Sequence, residues 1–94
     1  MTEYVEVLWE HDLADEPVSF YVELDDERRE TRKVEVFRDG RVGFADERRA
    51  VGGTRLGEGV MPSVEEIGTE HPGFRAAVID RAAFEAVWLR ATAG

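Results

Sequence analysis

The sequence predicts an α+β fold of two layers, in which an antiparallel meander sheet of four to five strands has one face covered by two helices. Three features predict it. Apolar and polar residues alternate in residues 4–10 and again in residues 18–24, which is typical of half-buried strands. Asp39-Gly40 is a dipeptide typical of tight β-hairpins. Residues 81–91 place apolar side chains at a helical period.

The chain of 94 residues is expected to form one domain, residues 1–94, because a second core would require more length. It contains no cysteine, which excludes disulfides, thiol nucleophiles and cysteine-ligated zinc. The N-terminus has neither a basic start nor a continuous apolar run. We therefore predict no signal peptide, no membrane partner and a cytoplasmic location.

The net charge of −9 is unevenly distributed. Residues 1–30 contain 11 acids and 2 bases, whereas residues 31–57 contain 4 acids and 7 bases. Binding to nucleic acid needs clustered cations that displace counterions from phosphate, so we expect no nucleic-acid partner. Lys33 is the only lysine, and the excess of arginine indicates either recognition by guanidinium groups or a GC-rich genome.

Two strands are predicted before residue 25. Within residues 4–10, Val5, Val7 and Trp9 alternate with other residues and share one face, which we assign to the core. Residues 13–17 interrupt the pattern, and a strand can begin at Pro17 because no hydrogen bond is donated there. The second strand, residues 17–24, has four apolar side chains on one face: Val18, Phe20, Val22 and Leu24.

The third strand, residues 31–37, and the fourth, residues 41–45, are joined by the predicted hairpin. A three-residue loop, residues 38–40 with Gly40 left-handed, gathers four large apolar side chains on one face, and a slip of one residue would scatter them. We therefore predict the strand register that this three-residue loop produces. It pairs Val36 with Val42 and Val34 with Phe44.

The next segment, residues 46–60, carries four of the nine glycines and lacks a sustained period. That composition predicts an irregular loop, with a short strand near residues 54–56. Ser63 and Glu66 then have the spacing of a capping box, so a short helix is expected at about residues 63–68.

The C-terminal part is expected to contain an extended segment, residues 74–79, followed by a longer helix at about residues 81–91 that Asp80 caps. The apolar stripe of this helix suits the apolar face of the hairpin. Trp88 belongs to the stripe, and we expect it to approach Trp9 in the core.

The segment Trp9-Glu10-His11-Asp12 is the first candidate for a functional site. His11 could act as a general base oriented by Asp12, or as a metal ligand. Alternatively, His11 closes the strand while Asp12 makes an Asx-turn. We favour the structural role and predict no catalytic residue, metal or cofactor, because no nucleophile turn, zinc motif or phosphate loop is recognisable.

Two further features are binding candidates. Tyr4, Leu8, Tyr21 and Phe37 are assigned to the more polar face of the sheet, where they would form an exposed apolar patch. Arg55 lies among four glycines and is a candidate for contact with an anion. The candidate binding residues are Trp9, His11, Asp12, Tyr21, Phe37 and Arg55.

Six segments follow one another in order along nearly the whole chain. They are WEHD, DEPVSFYVELDDER, ETRKVEVFRDGRVGFAD, GGTRLGE, PSVEEI and DRAAFEAVWLRA. Together they resemble a family of small bacterial domains of unknown function that is common in actinobacteria. The resemblance implies a small soluble domain of the cytoplasm and assigns no activity to any residue.

Three functions remain open. We prefer a non-catalytic binding or interaction module, such as an immunity-like protein that neutralises a basic toxin, because the chain is small, acidic and without a catalytic set. A small enzyme or ligand-binding protein using His11 and Asp12 is the second hypothesis, and it requires His11 to lie in a concave pocket. A structural domain is the third, dimerising through a strand edge or through the Tyr21 and Phe37 face.

Overall fold

A computed structural model describes residues 1–93 as a six-stranded antiparallel sheet packed against two helices. The strands are β1 (Glu3–Trp9), β2 (Pro17–Leu24), β3 (Glu30–Phe37), β4 (Val42–Ala45), β5 (Ala50–Val51) and β6 (Phe74–Ile79), and the helices are α1 (Val64–Glu70) and α2 (Arg81–Thr92). The order across the sheet is β5-β4-β3-β2-β1-β6, so a five-strand meander gains β6 beside β1. The α+β class is confirmed, with six strands where four to five were expected.

The hairpin between β3 and β4 has the predicted register. Val36 lies opposite Val42, and Val34 lies opposite Phe44. Gly40 is left-handed, with a φ of 93°, a conformation that costs glycine little because it has no Cβ. The pattern of apolar residues therefore predicted the three-residue loop correctly.

The strand predicted near residues 54–56 is wrong, and the short strand β5 lies at Ala50–Val51 instead. Thr54 is completely buried, and its hydroxyl donates a hydrogen bond of 2.8 Å to the carboxylate of Glu35. Gly43 makes room for that hydroxyl, because a Cβ there would lie 2.1 Å from the Thr54 oxygen. The chain thus turns in beneath the sheet rather than continuing along its edge.

The two helices pack on opposite faces of the sheet, so the expectation that both cover one face is wrong. The α1 face, named for its helix, has a buried cluster of Val5, Val7, Val22, Leu24 and Ile67. The α2 face has ring contacts among Tyr4, Phe44, Phe84 and Trp88. The expected approach of Trp9 to Trp88 is also wrong. Trp9 shares the α1 face with Val5 and Val7, whereas Trp88 packs on the α2 face.

The register between β2 and β3 explains the two cores. Tyr21 lies opposite Val34, so Val34 shares the α2 face with Tyr21 and not the α1 face with Val22. Each face of the sheet therefore carries its own apolar row, and each row needs a helix to cover it. The chain supplies one on each side by crossing the α1 face before β6 and the α2 face after it.

Both helix caps are as predicted. The Ser63 hydroxyl accepts a hydrogen bond from the amide of Glu66, and the Glu66 carboxylate accepts one from the amide of Ser63. The Asp80 carboxylate accepts a bond of 2.8 Å from the amide of Ala83. Within residues 1–93, no helix combines the length and apolar character that crossing a membrane requires.

Candidate functional site

His11 is held in the turn between β1 and β2. Its Nδ1 accepts a hydrogen bond of 2.9 Å from the amide of Leu13, so the ring hydrogen lies on Nε2, which donates to the carbonyl of Pro17 at 2.9 Å. The expected Asx-turn of Asp12 is not found among the described residues, and the comparable bond to the backbone two residues on is made by His11. Both nitrogens of the imidazole are therefore used to close this turn.

Trp9 is the centre of an aromatic cluster at this end of the α1 face. The centre of its ring lies 4.0 Å from the ring centre of His11 and 5.2 Å from that of Phe74, to which it is nearly parallel. The ring centres of Phe20 and Trp9 are 6.4 Å apart, and the rings of His71 and Phe74 meet edge to face with their centres 5.5 Å apart. The two histidines thus stand at opposite ends of one series of ring contacts.

Replacing His11 with alanine is expected to lower the free energy of unfolding by about 1–2 kcal/mol, because two turn hydrogen bonds and a ring contact are lost. Asp12→Ala is the matched control and should change it by less than about 0.5 kcal/mol, since Asp12 is exposed. Urea unfolding monitored by tryptophan fluorescence measures both. Equal effects of the two substitutions would contradict the structural role of His11.

A cleft of about 360 Å³ opens on the α1 face, between the sheet, α1 and the segment that precedes α1. We call it the α1 cleft. Its apolar lining includes Val7, Phe20, Val22, Met61, Ile67 and Phe74. Its polar lining is limited to Glu30, Lys33 and His71.

The charges in the α1 cleft are paired with each other. The ammonium of Lys33 lies 2.9 Å from the carboxylate of Glu30, and only about one seventh of each side chain is exposed, 14% and 13%. Lys33 also donates to the carbonyl of Arg55 at 3.2 Å, and Glu30 accepts from the amide of Gly57 at 2.6 Å. The pair anchors the glycine-rich segment to the sheet, and its two charges cancel each other.

A second cleft, of about 440 Å³, lies between the sheet and the C-terminal half of α2, and we call it the α2 cleft. Its lining is Tyr21, Val34, Val36, Val42, Val87, Arg90 and Ala91. Burial, and then the neighbouring carboxylate of Glu6, raise the pKa of the Tyr21 hydroxyl, so that it stays neutral and can donate a hydrogen bond.

The two edges of the sheet differ. At one edge, β5 has only two residues, and Gly52 packs against Gly43 beside it. At the other edge, β6 has six residues, pairs with β1 alone among residues 1–93, and leaves 56% of Val78 exposed. Edge strands in natural proteins are normally shortened, charged or covered. β5 follows that rule, and β6 carries Arg75 as its single charge.

The family of the chain follows from comparison with known proteins. Residues 3–93 match a family model described as a domain of unknown function, DUF6881. The chain belongs to this family. Neither the curated proteins nor the solved structures gave a match.

The candidate residues of this DUF6881 chain do not form one site. Phe37 follows Val36 and therefore lies on the face opposite Tyr21, under the guanidinium of Arg41 at 4.8 Å. The expected patch of Tyr4, Leu8, Tyr21 and Phe37 is thus divided between two faces, and Tyr4 is buried against Phe84. Of the six candidate residues, only Trp9 and His11 are in ring contact with each other. Trp9 lines a neighbouring cleft, but His11 does not.

Sequence reasoning missed both the open edge of β6 and the α1 cleft of the DUF6881 domain. An extended segment at residues 74–79 was expected, but its position at the edge depends on which strand it pairs with. The cleft joins residues that are distant in sequence, from Val7 to Phe74.

Proposed function

We propose that this DUF6881 domain is a non-catalytic protein-interaction module that binds an extended segment of a basic partner along β6. The observation that carries the proposal is the open edge of this strand. The outward N–H and C=O groups of an edge strand can pair with a strand from another chain, and this mode of recognition needs little besides main-chain hydrogen bonds.

The charge around β6 supports a basic partner. On the α1 face, α1 packs against β6 and carries the exposed Glu65 and Glu70, for which the described residues provide no salt bridge. On the α2 face, Glu6 lies opposite Ala77 in the adjoining strand. A strand with lysine or arginine at alternate positions directs them to one face, where they could reach either Glu65 and Glu70 or Glu6, whereas an acidic strand would be repelled.

The geometry at His11 supports binding rather than catalysis. A general base needs a free nitrogen within reach of a substrate, and both nitrogens of His11 bond to the backbone of its own turn. An immunity-like protein that neutralises a basic toxin is a specific form of the proposal, for which the partner would contribute the strand.

A labelled peptide that alternates valine and lysine is expected to bind β6, and one that alternates valine and glutamate should bind at least about tenfold more weakly. Val78→Lys places a charge at the edge and should weaken binding of the lysine peptide by about tenfold or more. Val51→Lys is the control, since it changes a valine of comparable exposure, 43%, at the other edge. Fluorescence anisotropy gives the affinities.

The position of binding is read from amide hydrogen exchange along β6, where the alternate amides that point away from β1 should exchange more slowly when the peptide is present. Unchanged exchange at β6, or equal weakening by the two lysine variants, would refute strand addition at this edge. A homodimer that forms through the same edge of β6 is the alternative. Light scattering would favour it if the protein were a dimer that Val78→Lys converts to monomers.

A further inference from the structure

We infer that the α1 cleft binds a small neutral molecule that has an aromatic or alicyclic body and one hydrogen-bond acceptor directed at Lys33. The α1 cleft takes only Phe74 of its lining from β6. The inference therefore does not use the outward edge of that strand and stands independently of the proposed strand addition. It rests on the size of the cleft, on its lining and on the state of its two charges.

The size and lining of the cleft suit a compact apolar body. Its volume of about 360 Å³ falls at the lower end of the range of small-molecule sites. Phe20, Met61 and Phe74 are only partly buried although they pack against the core, so each keeps apolar surface available. Aromatic faces and a thioether favour contact with a ring.

The charges of the cleft favour a neutral ligand. Lys33 and Glu30 neutralise each other at 2.9 Å, and a charged ligand would have to compete with one member of this pair. An ammonium has three N–H donors, and two of them are used by Glu30 and by the carbonyl of Arg55. The third donor is available to a carbonyl, hydroxyl or ether oxygen of the ligand.

The outer wall of the cleft is held in place without a ligand. Arg28 donates to the carbonyls of Met61 and Pro62, at 3.0 and 2.8 Å, and pairs with Glu3 on β1. The amide of Met61 donates back to the carbonyl of Arg28 at 2.8 Å. Because these contacts already order the wall, little conformational entropy remains to be lost when a ligand binds.

The probe for this site is prodan, a neutral naphthalene ketone whose fluorescence shifts to the blue in apolar surroundings. Titration of the whole protein is expected to give saturable binding and amide chemical-shift changes centred on Val7, Val22 and Phe74. The same naphthalene without the ketone should bind about fivefold more weakly or worse, because Lys33 then lacks its acceptor.

Two glycines provide matched variants. Gly59 lines the cleft, Gly68 lies on α1 outside it, and a Cβ at either position meets no atom within 4 Å. Gly59→Leu should weaken prodan binding by about tenfold through occupation of the cleft, while Gly68→Leu should leave it unchanged. The inference is overturned by the absence of saturable binding, by equal effects of the two variants, or by shifts centred on Tyr21 and Val87 in the α2 cleft.

Discussion

Replacing Arg32 with methionine is expected to lower the free energy of unfolding by about 3 kcal/mol. Arg32 stands on the α2 face, where its guanidinium binds Glu23 at 2.5 Å and Glu85 of α2 at 2.7 Å. It also lies 4.8 Å from the ring centre of Phe84 and 5.1 Å from that of Trp88. Methionine keeps an apolar side chain over the rings, so the loss of stability reports the removal of the positive charge.

The cost arises because two carboxylates lose the cation between them. Only 16% of the Glu23 side chain is exposed, so solvation replaces Arg32 poorly at that position. The pair with Glu85 contributes less, because 38% of the Glu85 side chain is exposed and water screens the interaction. The arginine thus fastens α2 to the sheet mainly through Glu23.

Arg81→Met is the matched control for Arg32→Met. Arg81 also faces Glu85, but at 3.8 Å and with 79% of its side chain exposed, so its loss should cost less than about 0.5 kcal/mol. Urea unfolding at neutral pH measures both variants. Equal losses would show that the ion cluster does not hold α2.

Acidification provides a second readout on Arg32. Hydrogen bonds from Arg32 lower the pKa of Glu23 and of Glu85 below the ordinary value of 4.5. Since both pKa values are lower in the folded state, their stabilisation is complete above pH 4.5 and is lost as the pH falls below it. The difference in stability between the wild type and Arg32→Met should therefore narrow in that acidic range.

Gly43→Ala is expected to lower the free energy of unfolding by about 3 kcal/mol through overpacking. Gly43 is buried on β4, and a Cβ there would lie 2.1 Å from the Thr54 hydroxyl and 3.0 Å from the carbonyl of Val51. Thr54 cannot yield easily, because it is fully buried and bonded to Glu35. The variant must displace the segment that folds beneath the sheet.

The control for this variant is Gly68→Ala. Gly68 lies within α1, where a Cβ meets no atom within 4 Å, and alanine should stabilise the helix by about 0.5–1 kcal/mol. Thermal and urea unfolding should thus give shifts of opposite sign for the two substitutions. A neutral Gly43→Ala would mean that Thr54 does not need the space.

The two proposals make separable demands on the protein. Strand addition depends on β6 and its acidic surroundings and should be strongly sensitive to salt, because exposed charges are screened. Ligand binding in the α1 cleft depends on apolar contacts and on a hydrogen bond to a largely shielded ion pair, so it should be much less sensitive to salt. Salt titration of the two probes therefore distinguishes failure of one proposal from failure of the other.

The sequence by itself determined the local structure. The β3–β4 register followed from its apolar alternation, because a slip of one residue would move every side chain to the other face. The caps of both helices followed from Ser63, Glu66 and Asp80, because capping is a bond between residues three apart. These features depend on neighbours in the chain, so the chain alone specifies them.

Only the tertiary structure decided which face each element covers. The polar connection from Asp25 to Arg29 leaves the β2–β3 register open, and that register divides Val22 and Val34 between two cores. The partner of β6 is a second such choice, since pairing with β1 places it at the edge of the sheet. Both candidate surfaces follow from these long-range pairings, whose energy depends on all the strands together rather than on any one segment.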